Sequence, residues 1–178
     1  MIFERRHKVQ VQASEILGFF QALIDCGRER ASFPDVPART APELMAWVLG
    51  EVFPWWLILA DGKPAGCAYI TEIRGRCGRC HFAFLPVADP LKMGRFILSS
   101  VLYDQDQEGR YIMDTLVGVT PASNKAAATL AEKCGVRMLG MIPDFYYVHD
   151  TAENQPAVIA YYTRDWVQAE WGDSHGQR

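Results

Sequence analysis

Two side chains near the middle of the sequence have the chemistry of general bases. His81 stands in the apolar run of residues 79–85, and an imidazole with an ordinary pKa near 6.5 can take up a proton close to neutral pH. Glu72 precedes it and offers a carboxylate that could bind or deprotonate an amine. Both positions also allow a structural role, since a strand histidine can pack and a strand-end glutamate can face solvent. The two residues are therefore candidate catalytic groups.

A second pattern, Cys77-Gly-Arg-Cys80-His81, brings two thiols and an imidazole together along the chain. The C-x-x-C-H spacing is typical of covalent haem attachment, and cysteine pairs at hairpin turns also bind zinc. Haem attachment requires an oxidising compartment, and the start MIFERRHKVQVQ lacks the apolar segment of a secretory signal. A zinc site could recruit Cys67, but no second C-x-x-C follows. We expect free thiols near a turn and no metal site.

The clearest local pattern lies in residues 113–145. Residues 115–120 are β-branched and apolar, as in a buried strand, and Pro121 ends that strand because it has no N–H for a ladder. Asn124 can cap the helix that follows, whose sequence AAATLAEK has high helix propensity. Gly135 suits the left-handed position just beyond the helix. This stretch predicts a strand, a helix and a second strand.

The other elements follow from hydrophobic periodicity and turn signals. The predicted strands cover residues 2–11 at a sheet edge, 55–60, 65–73, 79–85, 115–120, 136–142 and 157–163. The predicted helices cover residues 14–26, 40–50, 89–104 and 124–134, and residues 27–39 are predicted to be a loop. Thr40 and Glu43 are expected to form a capping box at the start of the second helix. The order β-α-α-β-β-β-α-β-α-β-β predicts an α/β (α+β) fold with helices on both faces of a mixed sheet. A single domain is expected over residues 1–167, followed by a polar tail, 168–178.

Alternation along the predicted strand 79–85 divides its side chains between two faces of the sheet. One face carries Cys80, Phe82 and Phe84, and the opposite face carries His81, Ala83 and Leu85. Apolar side chains are therefore expected on both faces of the strand that carries His81.

Composition excludes several classes of protein. The chain has 178 residues, 49% of them hydrophobic, and a formal net charge of −3, so no basic surface for nucleic acid is expected. No apolar run reaches the ~18 residues of a membrane span, which predicts a cytoplasmic protein without a membrane partner. The five cysteines are an odd number and are expected to be reduced.

The element order, together with Asn124, Ala127, Leu130 and Gly135, resembles the GNAT-type N-acetyltransferase superfamily. Members of that superfamily carry a pattern like N-x-x-A-x-x-L-Y-x-K-x-G-F, and residues 124–136 are NKAAATLAEKCGV. The resemblance implies a mostly antiparallel sheet of six to seven strands. It also implies transfer of an acyl group from acetyl-CoA to a small amine or a peptide, and pairing into a homodimer through exposed strands.

The same resemblance implies which residues hold the cofactor. In the family the fourth and fifth strands splay apart, and free backbone groups of the fourth strand hold the pantetheine and thioester. Here that implies the main chain of Phe84 and Leu85, together with the side-chain amide of Asn124. His81 or Glu72 would then act as the base.

The loop expected to bind the pyrophosphate of the cofactor departs from the family pattern. Members place R/Q-x-x-G-x-G/A before the helix, whereas residues 89–94 are DPLKMG and match only at Gly94. Pro90 has no N–H to donate, and Asp89 can cap the helix with the negative group that a phosphate would supply. The sequence therefore predicts a degenerate phosphate loop.

A second departure concerns the general acid that protonates the departing thiolate. The family often uses a tyrosine at the position of Ala131, and Tyr146, Tyr147 or Tyr103 could replace it. The thiolate could also leave without an acid and take its proton from water. Together the two departures leave an alternative open. The chain could be a catalytically inactive GNAT-fold protein that serves as a binding or assembly component, as in phage-associated proteins.

Overall fold

A seven-stranded sheet runs through the structure, a computed structural model that describes residues 1–50 and 54–166. The strands are β1 (Phe3–His7), β2 (Trp55–Ala60), β3 (Lys63–Arg74), β4 (Cys77–Phe84), β5 (Thr115–Pro121), β6 (Arg137–Val148) and β7 (Glu153–Thr163). The helices are α1 (Ala13–Asp25), α2 (Glu29–Ser32), α3 (Ala41–Gly50), α4 (Pro90–Leu102) and α5 (Lys125–Lys133).

The order of strands across the sheet is β1-β2-β3-β4-β5-β7-β6. Neighbouring strands in the described ranges run antiparallel except for β4 and β5, which are parallel. The mixed, mostly antiparallel sheet is confirmed, and so is the edge position of the first strand. The parallel pair lies in the middle of the sheet, where helix α4 makes the crossover from β4 to β5.

The helices pack on both faces of the sheet, as predicted. Helices α1 and α3 cover one face, where Phe19, Phe20 and Leu44 are buried, and α4 covers the other with Met93 and Ile97. Strand β4 divides its side chains between these two cores in the expected alternation. Ala83 and Leu85 lie in the first core, and Phe84, Phe82 and Cys80 pack in the second.

Helix caps confirm several local predictions. Thr40 and Glu43 exchange hydrogen bonds, with the Thr40 N–H 3.0 Å from Glu43 Oε2 and the Glu43 N–H 3.4 Å from Thr40 Oγ1. Asn124 caps α5, and Gly135 lies beyond that helix at φ 86°. These short-range signals fix where α3 begins and where α5 begins and ends.

Several element boundaries differ from the sequence predictions. The first strand ends at His7, because a 3-10 turn at Lys8–Gln10 turns the Lys8 ammonium inward to donate to the Val48 carbonyl at 3.0 Å. The predicted loop 27–39 contains the short helix α2, and β6 continues past Pro143 to Val148. Pro143 is tolerated because it lies in an edge strand where the pairing to β7 is interrupted.

Within residues 1–50 and 54–166, no helix combines the length and the apolar character that crossing a membrane requires. The predicted polar tail, residues 168–178, lies outside the described residues.

Two glycine-to-alanine substitutions should change stability in opposite directions. A Cβ at Gly66 would lie 2.8 Å from the Ala83 carbonyl oxygen and 2.9 Å from the Phe84 ring, so Gly66→Ala should destabilise the fold by about 1–3 kcal/mol. Gly18 is exposed in α1, and a Cβ there would meet no packed neighbour within 4 Å, so Gly18→Ala should stabilise by up to about 1 kcal/mol. Denaturant unfolding of both variants measures the difference. Shifts of the same sign would contradict the packing described for β3 and β4.

Candidate active site

Strands β4 and β5 separate after a short parallel stretch. In the described structure they pair over residues 77–79 and 115–117, whereas β4 continues to Phe84 and β5 to Pro121. The space between the separated ends is a groove, also lined by the first two turns of α5 and by residues Ala31 and Pro34. Its free volume is about 110 Å³. Ligand sites commonly span about 300–1,000 Å³, so the groove is narrow in this conformation.

The main chain predicted to hold a cofactor lies further along β4, beyond the residues that pair with β5. The Leu85 N–H donates to the Ala65 carbonyl at 2.8 Å and so belongs to the ladder with β3. Because backbone groups of successive strand residues point to opposite edges, the carbonyl of Phe84 faces away from β3. It accepts a hydrogen bond from Arg28 Nη1 at 3.2 Å. Phe84 therefore presents its main chain toward the groove, and Leu85 does not.

Asn124 lines the groove and is hydrogen-bonded through both atoms of its amide. Its Oδ1 accepts from the Ala127 N–H at 3.1 Å, which is the helix cap, and its Nδ2 donates to the Ala31 carbonyl at 3.2 Å. Ala131 lies on the same helix and also faces the groove. The position where the family often has a tyrosine is thus in place but carries a methyl group.

The N-terminus of α4 is occupied by its own cap. Asp89 Oδ1 accepts from the Leu91 N–H at 2.9 Å and from the Lys92 N–H at 3.3 Å. Gly94 lies one turn further along and is buried, and a Cβ there would be 2.8 Å from Cys134 Sγ. The structure therefore gives Gly94 a packing role between α4 and α5, while its predicted contact with a cofactor stays a prediction.

His81 lies on β4 beyond the last residue paired with β5. Its Nε2 is 2.9 Å from Thr71 Oγ1, and its ring stacks on Tyr69 with centroids 4.4 Å apart and planes 3° apart. Burial of the ring and, secondarily, the positive charge of Arg79 lower the pKa of His81 to about 3. The imidazole is therefore neutral at physiological pH and is a weak proton acceptor in this conformation.

Glu72 follows Thr71, the residue paired with Arg79, at an irregular part of β3. Its backbone has φ 51°, uncommon for a residue with a side chain, where the register between β3 and β4 shifts. Its Oε1 accepts from Arg79 Nη1 at 2.9 Å, and 64% of the side chain is exposed. The bulge thus turns a mostly exposed carboxylate toward the buried guanidinium of Arg79.

A second cavity adjoins the groove on the side of α3. It has a free volume of about 630 Å³, and its lining includes Trp47, Thr71, Glu72, Arg79 and His81. His81 also lines the groove, so this one residue borders both spaces. The acid–base candidates Glu72 and His81 are therefore brought together in what we call the side pocket.

Tyr146 reaches the groove from β6 and is the one buried residue of that strand. The pairing of β6 with β7 shifts register between Ile142 and Tyr146, and Asp144 has φ 50° within that bulge. The Arg79 guanidinium carbon lies 5.2 Å from the Tyr146 ring centroid, and Arg79 Nη2 lies 3.5 Å from Asp35 Oδ2. Burial, and then the charge of Asp35, raise the pKa of Tyr146, so its hydroxyl keeps its proton at neutral pH.

The other two tyrosines that were considered as proton donors lie elsewhere. Tyr147 is exposed on β6, and the ring of Tyr103 is near Tyr111 at the far end of α4. Trp55 is buried in the core beside α1. Trp56 packs on the opposite side of the sheet beneath Arg5, whose guanidinium carbon is 4.8 Å from the indole centroid.

The cysteines do not converge on a metal site. Cys67 faces the α1 side of the sheet and Cys80 faces the α4 side, and burial raises the pKa of both thiols to about 12. His81 points away from Cys80 because it follows it directly on the strand. Across residues 1–50 and 54–166, no three His, Cys, Asp or Glu side chains are grouped closely enough to hold a metal ion.

Solved structures that match this chain are acetyltransferases. Aminoglycoside acetyltransferase AAC(6')-Ib with ribostamycin and coenzyme A gives a TM-score of 0.72 at 14% identity, covering 98% of this chain and 100% of that one. Spermidine N-acetyltransferase from Vibrio cholerae with coenzyme A and spermine gives 0.68 at 14%, covering 93% and 97%. A Salmonella typhimurium acetyltransferase that modifies the N-terminal serine of ribosomal protein L7/L12 gives 0.71 at 11%, covering 90% and 94%.

This chain has the GNAT acetyltransferase fold. No protein-family model matches the sequence, and no curated protein does either. At 11–14% identity, the likeness is therefore one of architecture.

Within this GNAT fold, sequence reasoning missed Asp35 and Arg79. Asp35 comes from the predicted loop 27–39, and Arg79 alternates with His81 on β4, yet the two form an ion pair at 3.5 Å, and the Arg79 guanidinium lies over the Tyr146 ring. No local spacing indicates this contact, because it joins three segments that are distant in the chain. The one available signal was the strand alternation that places Arg79 and His81 on the same face.

The low pKa of His81 predicts a specific response to acid. Between about pH 6.5 and pH 3 the unfolded chain binds a proton at this imidazole and the folded chain does not, so the stability from His81 should be lost as pH falls through that window. The His81 ring resonances should show no titration between pH 5 and 8 in NMR. His81→Gln should flatten the fall in unfolding free energy toward acid. A midpoint near 6.5 for His81 would contradict the burial described here.

Proposed function

We propose that this protein is an acyl-CoA-dependent N-acyltransferase that moves an acetyl group from acetyl-CoA to an amine. One observation carries the proposal: the groove between β4 and β5 meets the side pocket at His81. A thioester in the groove and an amine in the side pocket would meet there. The similar acetyltransferases crystallised with coenzyme A support acetyl-CoA as the donor, and those named for aminoglycoside, spermidine and an N-terminal serine support a small amine or a peptide as the acceptor.

In this proposal, His81 and Glu72 remove the proton from the amine. An imidazole with a pKa near 3 holds a proton only briefly, so the proton taken from the attacking nitrogen would pass on to the Glu72 carboxylate in the same pocket. Arg79 contacts Glu72, which keeps that carboxylate beside the pocket. His81 then positions the amine and relays its proton.

Tyr146 is our candidate for protonating the departing thiolate. Its hydroxyl keeps its proton at neutral pH, it lines the groove, and Ala131 on α5 has no proton to give. The phenol would transfer its proton to the coenzyme A sulfur as the carbon–sulfur bond breaks. The guanidinium of Arg79 would stabilise the phenolate that remains.

A catalytically inactive binding component is the second candidate. The observation that favours it is Asp89, whose carboxylate already occupies the N-terminus of α4 where a cofactor phosphate would gain from the helix dipole. The groove, the side pocket and the buried Tyr146 favour catalysis, since a binding role requires none of them.

Acetyl-CoA should stabilise the protein if the proposal holds. At a concentration 100 times Kd, a ligand that binds the folded state alone adds about 2.7 kcal/mol, which raises the melting temperature. An unchanged melting temperature in millimolar acetyl-CoA would contradict acetyl-CoA binding and with it the proposed activity.

Given binding and turnover, Tyr146→Phe should lower kcat by about 10²-fold or more, because the variant has no phenol proton to give to the thiolate. Tyr147 is exposed on the same strand, and Tyr147→Phe should leave kcat unchanged.

We also propose that the protein forms a homodimer through β6. This edge strand exposes six large apolar side chains: Met138, Leu139, Met141, Ile142, Phe145 and Tyr147. Long apolar edges associate unless they are covered, and a second copy of the same strand would cover both.

Light scattering coupled to size exclusion tests the homodimer. The wild type should elute with the mass of two chains, and Leu139→Lys on β6 should give one chain. Leu49 is an exposed residue of α3, so Leu49→Lys is the matched control and should stay dimeric. A monomeric wild type at every concentration would rule the interface out.

A further inference from the structure

A single loop crosses the mouth of the groove. We define residues 27–40, between α1 and α3, as the strap. Its residues Ala31, Ser32 and Pro34 line the groove. The groove is narrow partly because the strap lies against it.

The strap occupies the two polar groups that the resemblance to the GNAT superfamily assigns to the acyl donor. Arg28 Nη1 donates to the Phe84 carbonyl at 3.2 Å, and the Ala31 carbonyl accepts from Asn124 Nδ2 at 3.2 Å. Phe84 belongs to β4 and Asn124 caps α5, so these bonds bridge the groove from both walls. A donor that uses either group must first displace a strap residue.

The strap has a lightly held part and an anchored part. No residue of α2 is buried, and Arg28 itself is exposed. By contrast, Phe33 and Val36 are buried in the core, and the Pro34 carbonyl accepts from the His149 N–H at 3.0 Å. Besides the two bonds at Phe84 and Asn124, residues 28–32 are tied down by an ion pair of Arg30 with Asp150 at 3.3 Å, which lies at the surface. They can therefore lift without disturbing the core.

The lightly held residues 28–32 lie between a glycine at one end and a buried side chain at the other. Gly27 has φ 67°, which few other residues adopt, and Phe33 fixes the other end in the core. Arg39 holds the remainder in place through Nε and Nη2, at 3.0 and 2.6 Å from Asp150 Oδ1 in the β6–β7 turn. The fixed and the movable parts of the strap are thus separated by one buried side chain.

We propose that residues 28–32 form an autoinhibitory closure that competes with the acyl donor for the Phe84 carbonyl and the Asn124 amide. The inference rests on the proposed function, because it concerns access to the same groove. In the closed state Arg28 and Ala31 satisfy the two groups. In the open state the donor replaces both contacts, and the groove widens.

Arg28→Ala tests this closure. Arg74→Ala, at the exposed end of β3, is the charge-matched control. Acetyl-CoA is anionic, so loss of an arginine by itself should weaken binding or leave it unchanged. The closure predicts the opposite for Arg28→Ala, because the donor no longer has to displace the hydrogen bond from Arg28 to the Phe84 carbonyl. Calorimetry should show about three- to tenfold tighter binding of acetyl-CoA, the effect of one hydrogen bond. Hydrogen exchange supplies a second readout, since the Ser32 and Phe33 amides, which bond within the turn of α2, should exchange faster in Arg28→Ala without ligand.

The outcomes separate the two proposals. Tighter binding by Arg28→Ala than by wild type and Arg74→Ala, or binding by Arg28→Ala alone, supports the closure. If all three bind equally, or Arg28→Ala binds more weakly, the closure is wrong while the proposed function stands. If none binds at millimolar acetyl-CoA, the proposed function fails, and the competition with the donor fails with it.

Discussion

The early separation of β4 from β5 is the constraint on which the rest of the site depends. Three residues of each strand pair, and the following residues of β4 leave backbone groups facing a gap in the middle of the sheet. Unpaired backbone groups in such a position need partners, because leaving them without hydrogen bonds is costly. Here Arg28 supplies one to Phe84. The separation thus creates the groove and also requires something to fill it.

Arg79 has a comparable effect on the charges of the site. It is the last residue of β4 paired with β5, and its buried side chain lies between Glu72, Asp35 and Tyr146. A buried guanidinium is stable only with such partners around it. By gathering them, it joins β3, the strap and β6 at one point. Its positive charge also contributes to keeping His81 neutral.

The N-terminus of α4 shows how a stable local structure can conflict with a binding site. Asp89 and Pro90 form a good helix start, because the carboxylate satisfies two N–H groups and proline loses nothing at the first turn. The same residues occupy the position where a GNAT fold would present N–H groups to phosphate. Gly94, the one glycine that matches the family pattern, packs against Cys134. A donor bound in this groove would depend more on contacts between β4 and α5 than on this helix.

The sequence by itself determined the features that arise within a few residues of one another. The Thr40–Glu43 and Asn124 caps, the α4 cap at Asp89 and the alternation that puts His81 on the face opposite Phe84 were all predicted and are all present. The order of elements was sufficient to predict the fold. The tertiary structure alone decided that Tyr146 faces the groove, that Asp35 lines the side pocket and that the strap lies against the groove. Those arrangements depend on a bulge in β6 and on contacts between segments far apart in the chain, which no local pattern encodes.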